Sequence, residues 1–122
     1  MEMIQHKGRT ILYFNYQGLE DDGLVHQIRE NEKGILSLIA QGKRDLLRLT
    51  DISGCYASPE IMDAFKDVAL KVSPYFKASA VVGIVGGKKV LLDLVNRLSG
   101  LGVRPFDSLE EAKDWLVQQT DK

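Results

Sequence analysis

The sequence has a single cysteine and no long apolar segment. The first feature argues against a disulfide-bonded protein and the second against a membrane-spanning one. Cys55 is alone in 122 residues, so no internal disulfide can form and a cytoplasmic setting is expected. No segment approaches the roughly 18 consecutive apolar residues of a membrane-spanning helix, so no integral membrane segment is expected. The opening residues MEMIQHKGRT lack the basic and then apolar order of a secretory signal.

An excess of charge of either sign is also missing. Lys and Arg number 16 against 17 Asp and Glu, the formal net charge is −1, and the basic residues are spread along the chain. Nucleic-acid binding usually needs a clustered basic face, so no nucleic-acid partner is expected. Apolar residues make up 44% and charged residues 27%, the composition of an ordinary globular protein. The length predicts a single domain over residues 1–122.

Short apolar segments alternate with longer amphipathic ones along the chain. The segment MIQH precedes a strand predicted over residues 9–16 and could form a hairpin with it through Lys7-Gly8. The continuous apolar segment SAVVGIV is typical of a strand covered on both faces. Strands are predicted over residues 9–16, 43–52, 79–85 and 102–106. Helices are predicted over residues 19–41, from 58 onward, over 88–100 and over 108–119.

Local signals refine two of the helices. Ser58-Pro59-Glu60 places a serine cap before a proline and a glutamate in the first turn. Ser108 is followed three residues later by Glu111, which is the spacing of a capping box.

Two further residue types mark expected irregularities. Gly34 falls inside the helix predicted over 19–41 and is a point at which this helix could bend or split. Arg48 and Thr50 alternate with leucines in the strand predicted over 43–52, so one face of this strand is expected to be polar.

The alternation of strands and helices predicts the fold class. Strand, helix, strand units fold as crossovers that make neighbouring strands parallel and place helices on the sheet. The short and half-polar first strands favour a mixed sheet. We expect an α/β fold with a mostly parallel, mixed sheet of four to five strands covered by about four helices.

The strand end Asp51-Ile52-Ser53-Gly54 and the closing segment from Phe106 to Trp115-Leu116, in this order and spacing, resemble a known family. They are similar to the small bacterial SpoIIAA-like proteins, which are related to the STAS domain of anti-sigma-factor antagonists and sulfate transporters. These proteins share a fold with the lipid-binding CRAL-TRIO domain. The resemblance covers about residues 9–118 and implies one STAS/SpoIIAA-like domain.

The resemblance also implies a site for phosphorylation. In anti-sigma-factor antagonists, a kinase phosphorylates the serine of an Asp-Ser-Ser-Gly cap that follows the turn at the end of this strand. Counting from that turn places the cap on Ala57-Ser58-Pro59-Glu60, so Ser58 is the nearest hydroxyl. The preceding aspartate and the following glycine of the motif are missing here. A plain helix cap also explains Ser58 completely.

Two segments are candidate ligand sites. Gly86, Gly87, Lys88 and Lys89 follow a buried strand and open a helix, where free N–H groups and lysines could hold a phosphate or carboxylate; a tight turn with solvated lysines is the alternative. Asp51 and Ser53 lie at the carboxyl end of a strand, where open α/β sheets usually bind ligands. They also suit an ordinary hydrogen-bonded turn.

The remaining candidate residues indicate a binding surface rather than a catalytic or metal site. Tyr75 and Phe76 follow a helix-breaking proline, and together with Tyr56 they are candidates for a pocket or an interface. His6 and His26 have no second ligand at a suitable spacing, so no metal site and no cofactor are expected. The sequence has no Gly-x-Ser-x-Gly nucleophile elbow, and Cys55 suits a small core position.

Two functions of different classes follow from these features. The first is a non-catalytic regulatory or protein-interaction module of the STAS/SpoIIAA-like type, with an unknown protein partner and a homodimer as one of its forms. The second is a carrier or sensor of an apolar, lipid-like ligand, implied by the CRAL-TRIO resemblance, with Lys88 and Lys89 near an anionic head group. An apolar carrier needs a cavity of roughly 300 Å³ or more.

Overall fold

A five-stranded mixed sheet forms the centre of the structure, a computed structural model that describes residues 1–55, 58–84, 93, 96 and 102–120. β1 runs antiparallel to β2, and the other neighbouring pairs are parallel. The α/β class with a mixed sheet is therefore confirmed. The strands lie across the sheet in chain order: β1 (Glu2–His6), β2 (Arg9–Asn15), β3 (Leu46–Asp51), β4 (Phe76–Val82) and β5 (Arg104–Phe106).

Three α-helices are described: α1 (Asp21–Ala40), α2 (Pro59–Val72) and α3 (Leu109–Gln119). The helix predicted over 88–100 lies outside the described residues, apart from Asp93 and Asn96. α1 continues through Gly34 without interruption, because the buried residues on either side of this glycine anchor the helix to the sheet. Among the described helices, none combines the length and the apolar character that a membrane span requires.

The hairpin between β1 and β2 depends on the predicted turn. Lys7 and Gly8 both have a positive φ, of 49° and 81°, and His6 pairs with Arg9 across them. Two central residues with positive φ characterise the type I′ turn, whose twist matches that of antiparallel strands. The predicted hairpin is confirmed.

Side chains alternate between two covered faces of the sheet. On the face covered by α1 and α2, called here the helix-pair face, Leu12 and Phe14 of β2 and Tyr16, which directly follows this strand, pack against both helices. The opposite face, called the α3 face, packs against Ala112 and Leu116 of α3. Its buried strand residues are Ile11, Leu47, Leu49, Ala78, Ala80 and Val82.

Polar residues of the central strand are buried on the helix-pair face. Arg48 and Thr50 have only 6% and 7% of their surface exposed. The polar face expected for β3 is present, but it is buried, because α1 and α2 cover it. Ser79 is the register partner of Arg48 on β4 and is also buried.

The boundaries of β4 differ from the predicted strand over 79–85. β4 begins at Phe76, directly after a 3₁₀ turn over Ser73–Tyr75, and ends at Val82. Gly83 has a φ of +94°, outside the strand region, and ends the strand although the apolar sequence continues. β4 begins earlier than predicted because Pro74 ends α2 and only the short 3₁₀ turn lies between the helix and the strand.

Candidate functional site

Asp51 closes β3 and organises the turn at the carboxyl end of the sheet. It is 1% exposed, and its Oδ1 accepts a hydrogen bond of 2.9 Å from the backbone N–H of Ser53. Its Oδ2 accepts a hydrogen bond from Nε2 of Gln17, in the loop after β2. Asp51 and Ser53 are thus brought together as predicted, in the ordinary turn that the sequence offered as the alternative to a ligand site.

Gly83 contacts this turn from the end of β4. A Cβ atom on Gly83 would lie 2.5 Å from the backbone nitrogen of Ser53, closer than real Cβ contacts allow. The backbone N–H of Ile52 donates to the carbonyl of Val82 at 3.0 Å, which joins the same two strand ends. The carboxyl ends of β3 and β4 therefore form one packed unit.

Ser58 caps α2. Its Oγ accepts a hydrogen bond of 3.2 Å from the backbone N–H of Ile61, and its own backbone is extended with φ −93° and ψ 161°. Pro59 occupies the first helical position. The helix-cap interpretation of Ser58 is confirmed, and its phosphorylation stays a prediction.

Several predicted site residues lie outside the described part of the chain. These are Tyr56 and the anion-site candidates Gly86, Gly87, Lys88 and Lys89. The two aromatic residues after Pro74 are described. Tyr75 ends the 3₁₀ turn with the guanidinium of Arg44 at 4.7 Å from its ring centre, and Phe76 starts β4 and packs against the core of the helix-pair face.

Potentially reactive side chains have structural partners. Cys55 is buried, and its Sγ donates to the carbonyl of Tyr16 at 2.9 Å. Nε2 of His6 lies 2.7 Å from Oδ1 of Asp114, and Nζ of Lys7 lies 2.9 Å from the same oxygen. Lys7 and, to a smaller extent, His6 hold the pKa of Asp114 below its ordinary value. Within the described ranges, no three His, Cys, Asp or Glu side chains are grouped as metal ligands would be.

Arg48 is a buried cation at the centre of the helix-pair face. Its guanidinium lies 5.0 Å from the ring centre of Phe14 and 5.9 Å from that of Phe76, within the range of cation–π attraction. Burial lowers the pKa of Arg48, and Tyr16 opposes this shift. Nε of Arg48 and Oγ of Ser79 are buried and have no hydrogen-bond partner among the described residues.

Tyr16 connects this arginine to α1. Nδ2 of Asn31 donates to the phenol oxygen of Tyr16 at 2.9 Å. Burial raises the pKa of the Tyr16 phenol, while Arg48 and Asn31 act in the opposite direction. The core therefore contains a cluster of three polar side chains, those of Tyr16, Asn31 and Arg48. Sequence reasoning missed this cluster, because an arginine between leucines resembles a surface position.

A cavity of about 640 Å³ lies at the opposite end of the sheet, where β2, β3 and β4 begin. Its position is unusual, because open α/β sheets usually bind ligands at the carboxyl ends of their strands. Five of its lining residues are apolar: Met3, Leu12, Leu38, Leu46 and Leu47. Four are basic: Arg9, Lys43, Arg44 and Lys77.

Sequence reasoning did not find this cavity. Its basic residues come from three places far apart in the chain: Arg9, Lys43-Arg44 and Lys77. They meet only because the sheet places the amino ends of β2, β3 and β4 side by side. The one local signal is the pair Lys43-Arg44 directly before a buried strand. Comparisons of the chain with protein-family models, with curated proteins and with solved structures gave no match.

Replacing either of two serines by alanine should have unequal effects on the free energy of unfolding. Ser58→Ala removes the cap of α2 and should lower the free energy of unfolding by about 1 kcal/mol. Ser79→Ala removes a buried hydroxyl without a partner and should leave this free energy unchanged or raise it by about 1 kcal/mol. Urea unfolding measures both, and Ser108→Ala is a second cap control because Oγ of Ser108 accepts from the N–H of Glu111 at 3.2 Å. A loss at Ser79 as large as that at Ser58 would contradict this account.

The close approach of Gly83 to Ser53 predicts an unequal pair of glycine substitutions. Gly83→Ala forces a methyl group against the backbone of the turn and should lower the free energy of unfolding by about 3 kcal/mol or more. Gly54→Ala is the matched control, since Gly54 also has a positive φ, of 75°, but no atom of the described residues lies within 4 Å of an added Cβ. It should cost about 1–2 kcal/mol. Equal losses in urea unfolding would show that the packed turn does not exist.

Proposed function

We propose that the chain is a non-catalytic regulatory or protein-interaction module of the STAS/SpoIIAA-like type, and that its partner binds at the carboxyl end of the sheet. The observation that carries this proposal is that the polar side chains there make hydrogen bonds within the fold. Asp51 holds Gln17 and the Ser53 turn, and Ser58 caps α2. The same hydrogen bonds fix the shape of the surrounding surface.

A fixed surface suits recognition of a protein partner. Binding to an ordered surface avoids the entropy cost of ordering loops during association. Gln17, Gly18, Gly54, Pro59 and Glu60 are exposed around the turn. These residues, together with the first turns of α1 and α2, are called the carboxyl-end tip.

The charge of the carboxyl-end tip indicates what kind of partner would bind. α1 and α2 follow the carboxyl ends of β2 and β3, so both helix N-termini lie at this edge of the sheet. Acidic side chains near helix N-termini stabilise the helices, and when exposed they also attract basic partners. The exposed acidic residues of these first turns and of the residues beside them are Glu20, Asp21, Asp22, Glu60 and Asp63. The proposed partner therefore presents Lys or Arg side chains.

The carrier of an apolar ligand has less support. That function places a pocket between the sheet and the helices, with Lys88 and Lys89 near the head group, and these lysines lie outside the described residues. Along β4, side chains occupy both faces: Ala80 and Val82 pack on the α3 face, and Ser79 and Val81 are buried toward the helix pair. An interaction module needs no internal space, so this packing favours the first function.

Site-specific photo-crosslinking tests the proposed interaction. A photoreactive phenylalanine in place of Glu60 should give a discrete protein adduct in cells that express the chain. The same group in place of Ser37, which is exposed near the carboxyl end of α1, should not. Asp21→Asn together with Asp22→Asn should weaken the Glu60 adduct, because two attractive charges are removed.

Two results would contradict the proposal. One is an adduct pattern that is the same at Glu60 and at Ser37, or absent at both. The other is a native mass spectrum in which the purified chain carries a stoichiometric apolar small molecule that shields the carboxyl-end tip from crosslinking.

A further inference from the structure

We propose that the cavity at the amino ends of β2, β3 and β4 binds an organic anion, in which a carboxylate or phosphate group is attached to a short apolar body. This site lies at the opposite end of the sheet from the carboxyl-end tip. It is independent of the proposed protein interaction.

The size and the apolar lining of the cavity suit a small organic molecule. Its volume of about 640 Å³ falls within the range of roughly 300–1,000 Å³ that is usual for small-molecule sites. Leu38 of α1 and Leu46 of β3 supply a partly exposed apolar lining, while Leu12 and Leu47 also line the cavity but are only 2% and 3% exposed. Met3 on β1 also lines the cavity and is 55% exposed, although Met is among the more buried residue types. An apolar ligand body would cover the exposed parts of Met3, Leu38 and Leu46.

The charge of the lining selects an anion. Four basic residues and one acidic residue, Asp45, line the cavity, although the whole chain has a formal net charge of −1. In the described ranges, no carboxylate lies within 4.0 Å of the ammonium groups of Lys43 or Lys77. Both lysines are therefore available to a ligand.

Arg44 is held in place for such a role. Its Nη1 donates to the carbonyls of Ile39 at 3.2 Å and Lys43 at 2.7 Å, and its guanidinium lies over the ring of Tyr75. Its other guanidinium nitrogens, Nε and Nη2, make no hydrogen bond to the described residues. A guanidinium fixed in this way can donate two parallel hydrogen bonds to a carboxylate or phosphate.

An irregularity in the sheet places Lys77 at the cavity. Leu46 pairs with Phe76 and Leu47 pairs with Ala78, so Lys77 is an extra residue in β4, as in a β-bulge. Bulges are rare between parallel strands, and they commonly redirect a side chain beside a functional site. This bulge is a second observation, independent of the charge count, that marks the same place.

An NMR titration of the ¹⁵N-labelled full chain tests the site with three probes. Sodium octanoate carries both an anionic group and an apolar body, 1-octanol lacks the charge, and inorganic phosphate lacks the apolar body. Octanoate should shift the amide signals of residues 43–47 and of Lys77 with saturation. Each of the other two probes should bind at least about tenfold more weakly, because each lacks one of the two interactions.

Paired lysine variants separate the site from general charge. Lys43→Gln with Lys77→Gln should weaken octanoate binding about tenfold or more. Lys33→Gln with Lys66→Gln removes the same charge from α1 and α2, away from the cavity lining, and should leave binding unchanged. Lys43 and Lys77 are exposed, so the first variant should fold normally, as its amide spectrum will show.

The outcomes are distinct. Equal binding of octanol would overturn the role of the anion, and equal binding of phosphate would overturn the role of the apolar lining. Equal weakening by the two double variants, or shifts spread over the whole chain, would overturn the site itself. None of these results bears on the photo-crosslinking at Glu60, so the failure of this site and the failure of the interaction module remain distinguishable.

Discussion

The burial of β3 on both faces is the constraint on which the rest of the structure depends. β3 lies between β2 and β4, with Leu47 and Leu49 packed on the α3 face and Arg48 and Thr50 packed under the helix pair. Water is largely excluded from both sides, so each polar group of this strand needs an internal partner or costs free energy.

The two buried charged residues of β3, Asp51 and Arg48, differ in how completely they are hydrogen-bonded. Asp51 uses both carboxylate oxygens in the turn that joins Gln17 and Ser53. Arg48 lies beside the rings of Phe14 and Tyr16, and its Nε has no acceptor in the part of the chain that the structure describes. The first arrangement gives an ordered strand end, while the second leaves a destabilising group in the core. Buried polar groups of this kind are retained in some proteins because they specify one packing arrangement.

The two ends of the sheet consequently have different chemistry. At the carboxyl end, polar groups are used inside the fold and exposed carboxylates surround an ordered tip. At the amino end, the strands begin around an open cavity with basic side chains such as Lys43 and Lys77. A module with this arrangement could bind a protein at one end and a small anion at the other. β3 spans the sheet between them.

The sequence predicted the features that depend on neighbours in the chain. The Lys7-Gly8 turn, the caps at Ser58 and Ser108 and the alternation of strands with helices from β2 to β4 are local patterns, and the structure contains them. The helix predicted over 88–100 lies outside the described residues. The burial of Arg48 could not be predicted, because it depends on two helices that cover the strand from elsewhere in the chain. For the same reason, the cavity was not found, and the bulge that places Lys77 there became visible only from the register with β3.

Native-state hydrogen exchange of backbone amides tests the central position of β3 most directly. If β3 is paired on both sides and covered on both faces, the amides of Leu47 to Thr50 should be among the slowest to exchange, while those of the edge strand β1 should exchange through smaller, local openings. Exchange of the β3 amides at the rate of the β1 amides would contradict the account.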